Sequence, residues 1–243
     1  MSDTVEKTRT GAILYDTAML NQISDQLFNV RGWSDARPVT GNLRSSGRGQ
    51  TTIVSDGKTE FVLRHYMRGG LIGRLVRDVY AWSGEENTRP FAEWRLLYKM
   101  QALGLPVPRP AAARYRRSGM FYSADLLTVR VPGIEPLSQR LKSGYGDTGF
   151  WQRLGASLNA FHRHGVCHAD LNAYNVQIDS KDALCLLDFD RGTIRRPGAW
   201  QAGNLARLHR SLRKIRALDP AIHWTDKDWR DLLDGYFQAS RSA

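Results

Sequence analysis

The stretch VCHADLNAYNVQIDSKDALCLLDFDRG, residues 166–192, constrains this chain more than any other. It sets Asp170, Asn175 and Asp188 among short apolar runs, with His168 just ahead of them. Val176-Gln177-Ile178 and Leu184–Leu187 are predicted to be buried strands, joined by the turn Asp179-Ser180-Lys181-Asp182. A tight hairpin brings its two open ends together. Asn175, before the first strand, and Asp188, after the second, should then stand side by side, with Asp170 on the loop entering the hairpin. Polar groups at the ends of buried strands need partners. Two oxygen donors in that position suit Mg²⁺, which keeps several waters and takes one or two carboxylates plus substrate phosphates. The Asp170 carboxylate is then placed to accept a proton.

The rest of the chain can support such a site. Its 243 residues suit one domain of ordinary size, or a large and a small lobe, and 42% apolar content fills a core. The two cysteines, Cys167 and Cys185, lie inside apolar runs and read as buried thiols of a reducing compartment rather than a disulfide. The opening MSDTVEKTRTGAILYD lacks the apolar centre of a secretory signal, and no run approaches the roughly 18 apolar residues of a spanning helix. The expectation is a chain kept in the cytosol. A net charge of +11 asks for an anionic partner: nucleic acid, an anionic membrane surface or a phosphorylated substrate.

Residues 1–12 are polar and expected to fray. Met19, Leu20, Ile23 and Leu27 fall at helical spacing and predict a helix over 16–28. The segment 41–66 has a glycine-rich start, a Thr-Thr-Ile-Val strand, an Asp56-Gly57 turn and a returning Phe-Val-Leu strand, a strong hairpin signal. Pro90 opens a helix that stops at Gly104, and a strand follows over about 120–131. Pro132-Gly133 is read as the boundary between an N-terminal sheet lobe, 1–131, and a C-terminal helical lobe, 132–243. In the second half, FWQRLGASLNAFHRHG forms an amphipathic helix ended by Gly165, and two more helices are expected at 203–218 and 225–239.

HADLNAYN, with Asp170 and Asn175 five apart, followed by LLDFD at Asp188, resembles the catalytic and metal-binding loops of the protein-kinase-like superfamily. Within it, VLRHYMRGGL, HADLNAYN and LLDFDRG together resemble the family of 3-deoxy-D-manno-octulosonic acid (Kdo) kinases. The resemblance runs from about Gly41 to Gly192. It implies an α+β, two-lobed kinase-like fold: an antiparallel sheet lobe with one main helix, then a mainly helical lobe. It implies ATP and Mg²⁺, with Asp170 orienting the acceptor hydroxyl and taking its proton. His168 matches the loop histidine that orients its neighbours, and Asn175 and Asp188 match the metal ligands. Gly47 and Gly49 match a phosphate-covering loop, and Arg64 and Glu93 the strand–helix ion pair on the nucleotide phosphates. The implied acceptor is the 4-hydroxyl of a Kdo residue on a lipid A precursor, at the cytoplasmic side of the inner membrane.

Several positions depart from the superfamily pattern. Arg64 stands where lysine is usual; its planar fork binds phosphate bidentately but needs more room. Lys58 is a rival near the hairpin turn. Thr52 falls where a third glycine would, and Asp190 replaces the glycine of Asp-Phe-Gly. No Ala-Pro-Glu motif follows, and the short remainder of the chain leaves little room for a protein-substrate platform. Singly, Asp170, Asn175 and Asp188 also fit loop capping, turn formation and strand-end capping; together, at this spacing with His168, they fit the kinase reading.

Two basic segments are candidates for an anionic membrane surface. In 205–218, Leu205, Leu208, Leu212 and Ile215 form one helical stripe, and Arg207, Arg210, Arg213, Lys214 and Arg216 cover much of the remainder. In 68–77, Leu71, Ile72, Leu75 and Val76 sit between cationic residues. Competing readings keep the fold and change the acceptor, to an aminoglycoside-type small molecule or a protein, or make the chain a non-catalytic nucleic-acid-binding module. Excess arginine argues against a cationic acceptor, and basic patches interleaved with aromatics, as RNA binding would need, are not evident.

Overall fold

The computed structural model describes residues 3–39, 51–67, 78–144, 147 and 149–241. The chain divides into two units: Met1–Ala102 with Pro108–Val131, and Leu103–Val107 with Pro132–Ala243. The glycine-rich start with Gly47 and Gly49, and the basic segment 68–77, lie outside the described residues.

The first unit is an antiparallel sheet carrying one long helix. Its strands are β1 (Asp3–Lys7), β2 (Gly11–Asp16), β3 (Asp35–Pro38), β4 (Thr51–Ser55), β5 (Glu60–His65) and β6 (Tyr80–Ala81), then, after helix α1 (Arg89–Ala102), β7 (Pro110–Ser118) and β8 (Phe121–Val129). The order is β1-β2-β7-β8-β5-β4-β3, with β6 also pairing β8. The expected hairpin is β4–β5, in register from Thr51 opposite Arg64 to Ser55 opposite Glu60. Gly57 at its turn has a φ of +86°, a left-handed value that glycine adopts without a Cβ clash. Helix α1 packs on β7 and buries Phe91, Trp94, Leu97 and Met100 along one side.

Three expectations are corrected in this unit. Residues 3–7 of the polar opening do not fray; they form β1, which pairs with β2 from Asp3 opposite Asp16 to Lys7 opposite Ala12. Residues 16–28 are not a helix. The Asp16 carboxylate accepts the Ala18 N–H at 3.0 Å and the Arg109 guanidinium at 2.6 Å, which makes a turn, and only Asp25–Phe28 coils, as a short 3₁₀ helix. Met19, Leu20, Ile23 and Leu27 nevertheless pack against the core of Ile13, Phe28, Val54, Phe61, Leu63 and Leu127, so their spacing marked a buried face without a helix. The third correction adds β7, whose alanines the pattern did not announce as a strand.

The second unit is mainly helical. Helices α2 (Leu137–Ser143), α3 (Phe150–Arg163), α4 (Ala199–Leu218) and α5 (Asp226–Arg241) surround short strand pairs. Strand β9 (Glu135–Pro136) pairs with β11 (Val176–Ile178), and β11 with β12 (Leu184–Leu186), while β10 (Val166–Cys167) pairs with β13 (Thr193–Ile194). Helices α3 and α5 touch backbone to backbone. A Cβ on Gly155 would stand 1.9 Å from the Leu232 carbonyl oxygen, and one on Gly235 2.0 Å from that of Gln152. The sheet unit with one main helix and the helical unit are the α+β elements expected. Cys167 and Cys185 are buried free thiols, and burial pushes the Cys185 pKa up to about 12.

Candidate active site

The hairpin β11–β12 sets the geometry in the second unit. Val176 pairs with Leu186, Gln177 with Cys185 and Ile178 with Leu184. One residue beyond, the Leu187 N–H donates to the Asn175 carbonyl at 3.0 Å, which brings Asn175 beside the entrance to Asp188. Asp188 itself has a φ of +63°. That conformation costs a non-glycine residue about 1–2 kcal/mol, least for Asp and Asn, and it turns the chain sharply off the strand.

His168 ties the entering loop to this strand end. Its Nδ1 accepts the Asp170 N–H at 3.1 Å, and its Nε2 lies 2.9 Å from the Leu187 carbonyl. An acceptor at one nitrogen and a carbonyl at the other require the neutral ring with its proton on Nε2. Burial lowers the His168 pKa, which favours that neutral form. The ring also packs against Phe189, centroids 4.6 Å apart. A charged or absent imidazole would uncouple Asp170 from the segment that carries Asp188.

Asn172 shapes the loop between Asp170 and Asn175. Its Oδ1 accepts the N–H groups of Tyr174 and Asn175 at 2.8 and 3.0 Å, and its Nδ2 donates to the Asp170 carbonyl at 3.0 Å. Asn175 Nδ2 donates to the same carbonyl at 2.9 Å. With its amino group so engaged, the Asn175 carboxamide must present its oxygen on the other side. That oxygen is buried and has no hydrogen-bond partner. An orphaned buried acceptor costs about 1–3 kcal/mol, and a hard cation is a group that would satisfy it. Asn175 and Asp188 therefore fit a divalent ion, although no cluster of three His, Cys, Asp or Glu side chains suited to a metal exists among the described residues.

Helix α4 underlies the loop. Asn204 accepts the His168 N–H at 3.1 Å and donates to the His168 carbonyl at 3.0 Å, and Ser211 Oγ accepts the Ala173 N–H at 3.1 Å. Arg207, between them, places Nη1 3.9 Å from Asp170 Oδ1. Sequence reading assigned none of these three to the site. Leu205, Leu208, Leu212 and Ile215 are buried within the unit, so the apolar stripe proposed for a bilayer is already packed; what α4 exposes is mainly cationic, with Leu218 at its C-terminal end the exposed large apolar residue. Among the described residues no helix is long and apolar enough to cross a membrane.

In the first unit, Arg64 on β5 and Glu93 on α1 form the expected ion pair. Tyr66 completes it: its hydroxyl donates to Glu93 Oε2 at 2.6 Å and accepts from Arg64 Nη2 at 2.9 Å, while the guanidinium lies 4.5 Å over its ring. An acid 3% exposed on the buried side of a helix is unusual, and these two partners account for it. Lys58 is exposed beside the Asp56-Gly57 turn, four positions short of β5's Val62, and takes no part in the pair. Arg64 and Glu93 are thus together within one unit, and His168, Asp170, Asn175 and Asp188 within the other.

A family model described as the lipopolysaccharide kinase (Kdo/WaaP) family matches residues 35–236. A protein named 3-deoxy-D-manno-octulosonic acid kinase from Stenotrophomonas maltophilia strain K279a is 42% identical over 232 residues, covering 94% of this chain and 90% of that one. Its namesake in Vibrio parahaemolyticus serotype O3:K6 is 39% identical over 222 residues, covering 91% and 92%. Another, from Xanthomonas axonopodis pv. citri, is 42% identical over 228 residues, covering 93% and 89%. Among solved structures, that of WbdD aligns with a TM-score of 0.45 at 16% identity, over 86% of this chain and 46% of that one.

Proposed function

Because this chain belongs to the lipopolysaccharide kinase (Kdo/WaaP) family, we propose that it moves the terminal phosphoryl group of ATP to the 4-hydroxyl of a Kdo residue on a lipid A precursor. The observation that carries the site assignment is the buried, unpartnered Asn175 oxygen beside the strand end that leads to Asp188. Asn175 and Asp188 would hold Mg²⁺, which neutralises charge on the nucleotide phosphates. Asp170 Oδ orients the acceptor hydroxyl and takes its proton as that oxygen bonds to the terminal phosphorus and the bond to ADP breaks. His168 holds Asp170 in register with Leu187, and Arg64, set by Glu93 and Tyr66, takes nucleotide phosphate oxygens. Gly47 and Gly49 are proposed to cover those phosphates. Such transfers have loose transition states, so positioning and charge supply most of the rate.

The acceptor carries sugar carboxylates and phosphates, which suits the +11 charge and an arginine beside Asp170. The same arginine disfavours a cationic aminoglycoside acceptor. Peripheral attachment at the cytoplasmic face of the inner membrane rests on charge, and salt should reverse binding to anionic vesicles. The test of the function is incubation with ATP, Mg²⁺ and Kdo-bearing lipid A precursor, followed by mass spectrometry. One added phosphate located at the 4-hydroxyl supports the reading. Product on another sugar acceptor, with none on Kdo, overturns it.

A further inference from the structure

Asn204 and Ser211 on α4 commit their side chains to loop backbone, whereas Arg207 between them does not. Its Nη1 is 3.9 Å from Asp170 Oδ1, outside hydrogen-bonding range, and the two side chains are 47% and 53% exposed. A wet ion pair of that kind contributes only about 0–1 kcal/mol, so stability gives no reason for it. Among the described residues Asp170 is the ion-pair partner of Arg207, and the guanidinium makes no hydrogen bond to the protein. Its five donors remain for something else.

Arg207 also heads a ridge. Arg210 and Lys214 follow three and seven residues on, which puts them along the same side of the helix, and both are exposed. One turn earlier, Gly203 has open space where a Cβ would sit. The side of α4 next to Asp170 is therefore cationic and open to solvent, beside a carboxylate that is itself exposed.

We infer that Arg207, continued by Arg210 and Lys214, binds an oxyanion of the acceptor, a sugar carboxylate or a phosphate, and so determines which hydroxyl meets Asp170. The inference rests on the proposed function for the acceptor's identity. Guanidinium grips either anion bidentately. In binding it, Arg207 exchanges Asp170 Oδ1 for the acceptor and leaves that oxygen to the incoming hydroxyl, while Oδ2 keeps its 3.1 Å bond from Asn172. The residue touches the acceptor's anion rather than the reacting atoms, so its effect belongs in acceptor binding and specificity.

Arg207→Gln, Arg207→Lys and Arg230→Gln would be compared with wild type on three acceptors: intact, carboxyl-reduced and dephosphorylated. Losing a charge-assisted pair should raise the acceptor KM of Arg207→Gln about 10–100-fold, with the ATP KM and Tm unchanged. Arg207→Lys should recover part of the loss, and Arg230→Gln, an exposed position on α5, should match wild type. If a carboxylate is the ligand, carboxyl reduction penalises wild type but not Arg207→Gln; if a phosphate is, dephosphorylation does so. An unchanged acceptor KM in Arg207→Gln, or a variant as sensitive as wild type to both modifications, overturns the inference while leaving the kinase reading standing. Absence of product from wild type on the intact acceptor overturns both.

Discussion

Asn204 holds both backbone groups of His168: its Oδ1 takes the N–H at 3.1 Å and its Nδ2 gives to the carbonyl at 3.0 Å. Both residues are buried, so water cannot replace these bonds. Asn204→Leu leaves two buried polar groups unmet, each worth about 1–3 kcal/mol, and should lower stability by about 2–5 kcal/mol. Asn204→Asp keeps the acceptor but not the donor and should fall between. Because His168 sets Asp170, phosphoryl transfer should drop in the same order. Urea denaturation with steady-state assays checks this; a Leu variant as stable as wild type would detach α4 from the loop.

The unpartnered Asn175 oxygen gives the proposed Mg²⁺ a readout that needs no turnover. Mg²⁺ with a non-hydrolysable ATP analogue at about 100 times its Kd should stabilise the chain by about 2.7 kcal/mol, or roughly 5–10 °C in Tm. Asp188→Asn tolerates the same left-handed backbone but lacks the charge, and Asn175→Ala lacks the oxygen. Either should abolish the part of the shift that depends on Mg²⁺. A full shift in both variants would place the ion elsewhere.

Much of this loop was legible in the sequence, because its contacts are local. Asp170 and Asn175 are five residues apart, and the hairpin that delivers Asp188 follows at once. The supports were not legible. Asn204, Arg207 and Ser211 lie 36 to 38 residues along the chain from the loop residues they meet, and polar residues beside a Leu205–Leu208–Leu212 stripe look like an ordinary solvated side. Tyr66 escaped for a different reason: two residues past Arg64 it reads as another strand-end aromatic, and only Glu93 across the unit reveals its hydroxyl. In the fold, β1 was hidden by its exposed, charged residues, since an edge strand buries little. Strand β7 was hidden by its consecutive alanines, Ala111, Ala112 and Ala113, which are all fully buried and so show no apolar–polar alternation. The helix expected over 16–28 failed because periodicity reports a buried face, and Asp16 had already bent the backbone into a turn.

Acid should destabilise the second unit through His162. Burial brings its pKa down from 6.5 to about 4, and its Nδ1 lies 2.8 Å from the Tyr236 hydroxyl. Between those pH values the unfolded chain binds the proton and the folded chain does not. Stability is thus complete above pH 6.5 and declines toward pH 4, by up to about 3 kcal/mol from this residue. His168, also held neutral, acts in the same direction. His65 acts oppositely: its bond to Asp125 raises its pKa, so its contribution is present below pH 6.5 and fades as pH rises past the raised value. Urea midpoints across pH 4.5–8 should show a shallower acid limb in His162→Phe. An identical slope would remove His162 from the account.

The Arg64–Glu93 pair separates stability from function. Removing one member of a buried ion pair leaves the other charge uncompensated, at a cost of about 3–5 kcal/mol, whereas replacing both with apolar residues is often neutral. Arg64→Met should therefore destabilise strongly, with only the Tyr66 hydroxyl left to Glu93 within this triad. Arg64→Met with Glu93→Leu should recover most of that loss. Activity should not follow, since neither variant keeps the guanidinium proposed to take phosphate, and the ATP KM should stay raised in both. Arg64→Lys should keep the charge but lose the bidentate fork and the cover over the Tyr66 ring, giving an intermediate KM. Urea denaturation beside ATP titrations reads both quantities. If the double variant regains activity along with stability, Arg64 only fastens α1 to the sheet, and the nucleotide phosphates are held by another residue.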